Sequence, residues 1–185
     1  MVTIVDPRGD WLDEFDAIAV MVSDAVGHDA RRIDHIGSTS VPGLPAKDVI
    51  DIQVTVADEE ALERSAGALT SRGWRRVEPA SDHHVEGLSD EAREWHKAFL
   101  DEPLGQRATH VHVRIEGRAN QRYALLFRDY LCAHPDAAAA YALVKRGLAA
   151  LAPDSASYAD AKDPACDLIY LAAEAWAEAG GWSPR

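Results

Sequence analysis

"HIGSTSVPGLPAKDVIDIQV" occupies residues 35–54. A glycine and three hydroxyl side chains (Gly37, Ser38, Thr39, Ser40) come first, a Pro- and Gly-rich turn follows, and the remainder alternates. Ile50, Ile52, Val54 and Val56 fall on one face of a predicted strand, and Asp51, Gln53 and Thr55 on the other. Such a strand is half-buried: its apolar face packs on helices, and its polar face looks into solvent or a cleft. Asp is disfavoured in mid-strand, and burying a carboxylate without partners costs several kcal/mol. Asp51 is therefore a half-exposed polar residue, or it faces a cleft with a partner, for which Lys47 and a metal ion are the candidates.

Upstream, Asp10 reads as the cap of a helix carrying Trp11, Phe15, Ile18, Val22 and Val26, with Gly27 as its terminator. Residues 31–36 form a short strand leading into the quoted loop. Downstream, Asp58 caps a helix with Leu62, Ala66 and Leu69 that stops at Gly73, and "WRRV" is the next strand. Residues 79–95 are polar, contain Gly and Pro, and read as a loop with a short helix or strand. "HKAFL" reads as a strand, and so does "THVHVRI", with Val111, Val113 and Ile115 toward the core and His110, His112 and Arg114 away from it. If this strand neighbours the first, all these polar residues share one face.

From Asn120 the pattern is helical to the end. One stripe is Tyr123, Leu126, Phe127 and Tyr130. Pro135 opens a helix with Ala137, Tyr141, Val144, Leu148 and Leu151, and Asp163-Pro164 repeats the start signal ahead of Leu168, Leu171, Ala175 and Trp176. The expected architecture is α+β, a mixed or antiparallel sheet with helices on one face and a C-terminal helical layer. It forms a single domain over residues 1–185, with an α/β core at 1–118 and the C-terminal helices at 119–180.

The formal net charge of −12 argues against broad nucleic-acid binding. A small anionic ligand in a locally basic pocket is compatible with it. Residues 107–129 hold five arginines against Glu116 and Asp129, a net +3, which reads either as such a pocket or as surface salt bridges. Cys132 and Cys166 have no metal-site spacing, and no disulfide framework is expected. No signal peptide is visible and no apolar run approaches the ~20 residues of a membrane span. A cytoplasmic protein with neither a membrane nor a nucleic-acid partner is the expectation.

"GSTS" can turn backbone N–H groups and hydroxyls toward a phosphate, although Gly-Ser turns are common and neither a Walker loop nor a dinucleotide fingerprint is present. His110 and His112 alternate onto one strand face, a spacing that suits two metal ligands, two phosphate contacts or two neutral hydrogen-bonders.

Gly-Ser followed by Asp51 on the next strand resembles the nucleotidyltransferase superfamily. The longer segments "HIGSTSVPGLPAKDVIDIQV", "THVHV", "FRDYLCAHPDAAAAYALVK" and "YADAKDPACDLIYLAAEAW" resemble the GrpB family, from about Asp6 to Trp176. That family also occurs fused to some bacterial dephospho-CoA kinases. The resemblance implies a nucleotidyltransferase-like fold with Gly37 and Ser38 as the phosphate-binding pair; Thr39 and Ser40 add donors from the turn, and Lys47, Arg114 and Arg128 are the further candidate phosphate or nucleotide contacts. The resemblance makes Asp51 the first metal-binding carboxylate; Asp51 and His112 are the candidate catalytic residues. Arg128 and Lys145 either point into the cleft or form ion pairs that fix the helical layer.

The chain departs from the superfamily at the second carboxylate position, which is Gln53, and on the later strand, which offers His112 and not an acid. Asp51, His110 and His112 suit a single Mn²⁺ or Zn²⁺ better than two Mg²⁺. Three functions are compatible with this. The first is binding of a nucleotide or CoA-like phosphate compound with nucleotidyl transfer. The second is a non-catalytic module that kept the cleft. The third is a small-molecule enzyme that uses His110 or His112 as acid and base near neutral pH.

Overall fold

The computed structural model describes residues 2–78 and 80–184. Helix α1 (Trp11–Val26) leads into β1 (Ala30–Ile36), the Gly-Ser loop, β2 (Ile50–Val56), α2 (Glu59–Ser71) and β3 (Arg75–Val77). After a loop come the short α3 (Ala92–Trp95), β4 (Ala98–Asp101) and β5 (Thr109–Ile115). Three helices close the chain: α4 (Ala119–Ala133), α5 (Pro135–Leu151) and α6 (Ser155–Gly180). The sheet order is β1-β2-β5-β4-β3; β2 and β5 are parallel and every other pair is antiparallel. The fold is thus α+β with a mixed sheet.

The alternation in β2 and β5 dictates the core. Ile52, Val54, Val111 and Val113 are fully buried beneath α1 and α2, against Val22, Leu62 and Leu69. Each such side chain contributes about 1.5–3 kcal/mol by leaving water. α1 starts at Trp11 as expected and ends at Gly27, whose φ of +58° suits glycine. The Asp10 side chain, however, binds Arg8 and does not cap the helix. Asp58 does cap α2, accepting from Ala61 N at 2.8 Å.

Further expectations are corrected. The polar face of β2 is not open along its length: Gln53 and Thr55 are fully buried, and Gln53 is tied to α4 through a hydrogen bond to the Gln121 carbonyl. Helices therefore stand on both sides of the sheet, α1 and α2 on the apolar side and the C-terminal layer over the polar one. α6 begins at Ser155, where Asp154 accepts from Ser157 N at 2.8 Å; Pro164 lies inside the helix and does not start it. The buried stripes of α5 and α6 are built on tyrosines and small residues (Ala138, Tyr141, Ala142; Cys166, Tyr170, Ala173), because small side chains let helices approach and the rings stack, Tyr123 on Tyr170 at 4.3 Å. Leu151 and Leu168, placed in those stripes by their spacing, are 83% and 71% exposed.

The arginine-rich segment is not one basic patch. Arg107 pairs with Glu14 and Asp48, Arg118 with Glu59, Arg122 with Glu174 and Arg128 with Asp129. Only Arg114 of the five faces the cleft. No disulfide joins Cys132 and Cys166, and among the described residues no helix is long and apolar enough to cross a membrane.

Candidate functional site

The open part of the polar sheet face and the C-terminal helices enclose a cavity of about 710 Å³, within the size range of small-molecule sites. The quoted loop forms one wall. Gly37 takes φ +70°, and a Cβ there would overlap the carboxylate of Asp51, so glycine is what lets the loop close onto β2. The Ser40 hydroxyl donates to the Gly37 carbonyl at 2.6 Å, and the Thr39 hydroxyl bonds His35 Nε2 at 2.9 Å. Both are spent inside the loop. Ser38 Oγ instead accepts from Lys145 Nζ at 2.8 Å. We expect Gly37→Ala to cost about 1–3 kcal/mol and to weaken ligand binding, read as a lower melting temperature together with a binding isotherm; an unchanged melting temperature would show that the loop is not clamped on Asp51.

Lys145 reaches this loop from α5. It is buried, it donates to the Pro45 carbonyl as well, and its Nζ stands 4.8 Å from the centre of the Tyr141 ring. Among the described residues no carboxylate lies within ion-pair distance of it. Burial, reinforced by the charge of Lys162, pushes its pKa down to about 7.

Parallel pairing of β2 and β5 sets Asp51 beside His110 and Gln53 beside His112. Asp51 Oδ1 is 3.1 Å from His110 Nδ1 and 3.9 Å from His112 Nε2. Burial raises the pKa of Asp51, but the hydrogen bonds and charges of His110 and His112 outweigh that and hold it well below the ordinary carboxylate value. Burial lowers the pKa of His110, and the Asp51 hydrogen bond reverses this to a net rise. His112 goes the other way, down to about 3, through burial and then the charges of Lys97 and Arg114. Phe99 on β4 packs against both imidazoles, at 5.1 and 4.9 Å between ring centres.

Beyond His112 lies a charged cluster. Asp82, from the loop after β3, accepts from Arg114 Nε at 2.9 Å, Lys97 Nζ at 2.5 Å and Asn120 Nδ2 at 3.2 Å. Arg114 Nη1 donates to Gln53 Oε1 at 2.7 Å. Gln53 thus has both ends of its amide engaged, accepting from a guanidinium and donating to a carbonyl. A carboxylate there could not donate to the Gln121 carbonyl.

One ligand atom each from Asp51, His110 and His112 lies within 4.8 Å of the others, a spacing that fits one ion. The donor chemistry fits less well. Asp51 offers a carboxylate oxygen. His110 can offer Nδ1 while Nε2–H turns toward Asp101, 3.8 Å away. His112 has Nδ1 at 3.3 Å from Lys97 Nζ and 3.4 Å from Arg114 Nη2, both donors. Nδ1 must keep its lone pair, so the proton of the neutral ring sits on Nε2, the atom that would face the ion.

Of the residues singled out in the sequence, Gly37, Ser38, Thr39, Lys47, Asp51, His110, His112 and Arg114 line the main cavity. Ser40 lines a smaller neighbouring pocket. Arg128 lies outside both and donates to the His35 carbonyl at 3.0 Å. Lys47 is not the partner of Asp51; its Nζ stands 5.7 Å from the Tyr158 ring centre. Asp82 and Lys97 also line the cavity and were not expected there. Strand alternation would have placed Lys97 with Phe99 on the cleft face, whereas Asp82 carries no local signal.

Comparison with known proteins adds family and fold. A family model described as "GrpB protein" matches residues 1–171. A dephospho-CoA kinase of Mycobacterium leprae is 38% identical over 194 residues, covering 93% of this chain and 46% of the relative; the chain therefore spans about half the length of the curated relatives it matches. Among solved structures, a conserved protein GrpB from Enterococcus faecalis superposes with a TM-score of 0.73 at 27% identity, covering 94% of this chain and 99% of that one. A cytoplasmic RNA terminal U-transferase superposes with a TM-score of 0.50 at 16% identity over 76% of this chain and 41% of that one. The second likeness is of fold alone, and that fold is nucleotidyltransferase-like, as expected.

Proposed function

This chain belongs to the GrpB family, and we propose that its cleft binds a phosphate-bearing small molecule, a nucleotide or a CoA-like compound. The observation that carries this is Lys145: a buried lysine with no carboxylate partner among the described residues, bonded to Ser38 at the wall of a cavity. A phosphate would give it the anionic partner the protein withholds. Lys47 adds a second cation, and Gly37 and Ser38 supply the loop. Arg114 contributes charge from behind Asp82, and Arg128 supports the loop from outside by holding the His35 carbonyl. The dephospho-CoA kinase relatives support a CoA-like ligand, and the fold supports a nucleotide.

Nucleotidyl transfer is the reaction this fold suggests, with Asp51 beside the phosphate loop as the group that orients or deprotonates an acceptor. The engaged amide of Gln53, at the position of a second carboxylate, favours a binding module without that reaction. Release of pyrophosphate from a nucleoside triphosphate separates the two.

A thermal-shift series with ATP, CTP, GTP and CoA, each with and without Mg²⁺ or Mn²⁺, tests the proposal. Ligand at 100 times Kd adds about 2.7 kcal/mol, which for a chain of this size raises the melting temperature by roughly 5–10 °C. No shift from any of the four sinks the reading. Asp51→Asn is expected to keep the shift and to lose any turnover; full turnover in that variant would make Asp51 structural.

A further inference from the structure

Two cations, Lys97 and Arg114, lie within hydrogen-bonding distance of His112 Nδ1, the ring nitrogen that does not face Asp51. Ammonium and guanidinium can only donate. They fix His112 as the tautomer with Nε2–H turned to the cleft, where Asp51 Oδ1 lies 3.9 Å away. An ion at Asp51 would need the lone pair that this arrangement removes. It would also stand one imidazole away from two protein cations that share one carboxylate, Asp82. Gln53, with its amide engaged at both ends, offers no replacement ligand. Asp51 and His110 remain, two ligands where tight sites use three or more.

We infer that the cleft floor works without a bound metal ion: Lys97 and Arg114 hold His112 as a hydrogen-bond donor and supply, as part of the protein, the positive field that an ion would bring. The ligand implied is a phosphate ester bound as the free anion and not as its metal complex, with one anionic oxygen accepting from His112 Nε2–H. This deepens the proposed function and rests on the cleft being a phosphate site.

The test is calorimetry on the metal-stripped chain. Titrated with Zn²⁺ or Mn²⁺, it is expected to show no stoichiometric binding at micromolar concentrations. Titrated with ATP, it is expected to give the same Kd, within about twofold, in EDTA and in Mn²⁺ once formation of the Mn²⁺–ATP complex is subtracted. One ion bound per chain at micromolar Kd, or ATP binding abolished by EDTA, overturns the inference. Absence of ATP binding under both conditions overturns the phosphate reading, and the metal titration still decides the question of the ion.

Lys97→Gln supplies a gain-of-function arm. A glutamine carbonyl at that position can accept from His112 Nδ1–H, leaving only the long 3.4 Å approach of Arg114 Nη2 to oppose it, and so release Nε2 as a ligand. This variant is expected to acquire one Zn²⁺ per chain. A folded Lys97→Gln chain that binds no Zn²⁺ overturns the part assigned to Lys97. Should the variant not fold, the metal titration of the unaltered chain decides by itself.

Discussion

Replacing Lys145 with methionine is expected to weaken binding of ATP or CoA about 100-fold while leaving the folded chain close to its original stability at pH 7. Charge-assisted hydrogen bonds are worth about 1.5–3 kcal/mol each, and tenfold in affinity corresponds to about 1.4 kcal/mol. Methionine keeps the length and packing of the lysine stem. It removes an ammonium whose burial is unfavourable, as the downward shift of its pKa to about 7 records, and this offsets the lost bonds to Ser38 and the Pro45 carbonyl.

The shift also fixes a sign. The folded chain releases this proton near pH 7, whereas the unfolded chain holds it to about 10.5. Between those values the unfolded state binds more protons, so stability rises with pH. From pH 7 to pH 9 the native chain should gain about 2 kcal/mol over Lys145→Met, read as diverging urea midpoints. Ligand binding runs the other way, because a phosphate favours the charged lysine, and affinity should fall as pH rises above 7. Affinity within threefold of the native chain in Lys145→Met would remove this lysine from the site.

Asp82→Ala carries the second large effect. Asp82 is the carboxylate shared by Lys97 and Arg114, and both cations are buried. Removing one partner of a buried pair costs about 3–5 kcal/mol, because the remaining charge stays desolvated and unpaired. The melting temperature should fall by roughly 10 °C. Adding Lys97→Met should recover part of the loss by removing one orphaned charge, and failure of that rescue would show that Asp82 acts by other means.

Burial raises the pKa of Asp82, but Arg114 and Lys97 overcome it and hold the carboxyl well below its ordinary value. The stabilisation is therefore present above about pH 4 and is lost as the pH falls toward the folded-state value. Asp82→Asn should lack this acid-side loss. Equal acid sensitivity in the two chains would assign the effect to other carboxylates.

These two residues also mark how far the sequence could be followed. Periodicity is a local property, and from α1 to β5 the structure agrees with the local reading: the stripe of α1, the cap of α2, the alternation of β2 and β5. The stretch at residues 35–54 announced a Gly-Ser turn feeding an alternating strand with Asp51 on its polar face, and the structure has both, although beyond Asp51 that strand is buried on both faces. The C-terminal stripes misled where spacing alone was used. Leucines at helical intervals read as buried, yet the helices pack through alanines and stacked tyrosines.

What the chain order could not supply was the pairing of charges across distance. Lys145 meets Ser38 over 107 residues, and Asp82 meets Arg114 over 32. A lysine on an alanine-rich helix looks the same in sequence whether it faces water or closes a cavity. The sequence by itself determined the strand alternation, the family and the loop at Gly37, because each is written in neighbouring residues. Only the tertiary structure decided that Asp51 lies between two imidazoles, that Gln53 is sealed under α4, and that four of the five clustered arginines leave the cleft. Burial and charge partners belong to the packed chain, and in low dielectric they set which groups keep a proton and which can meet a ligand.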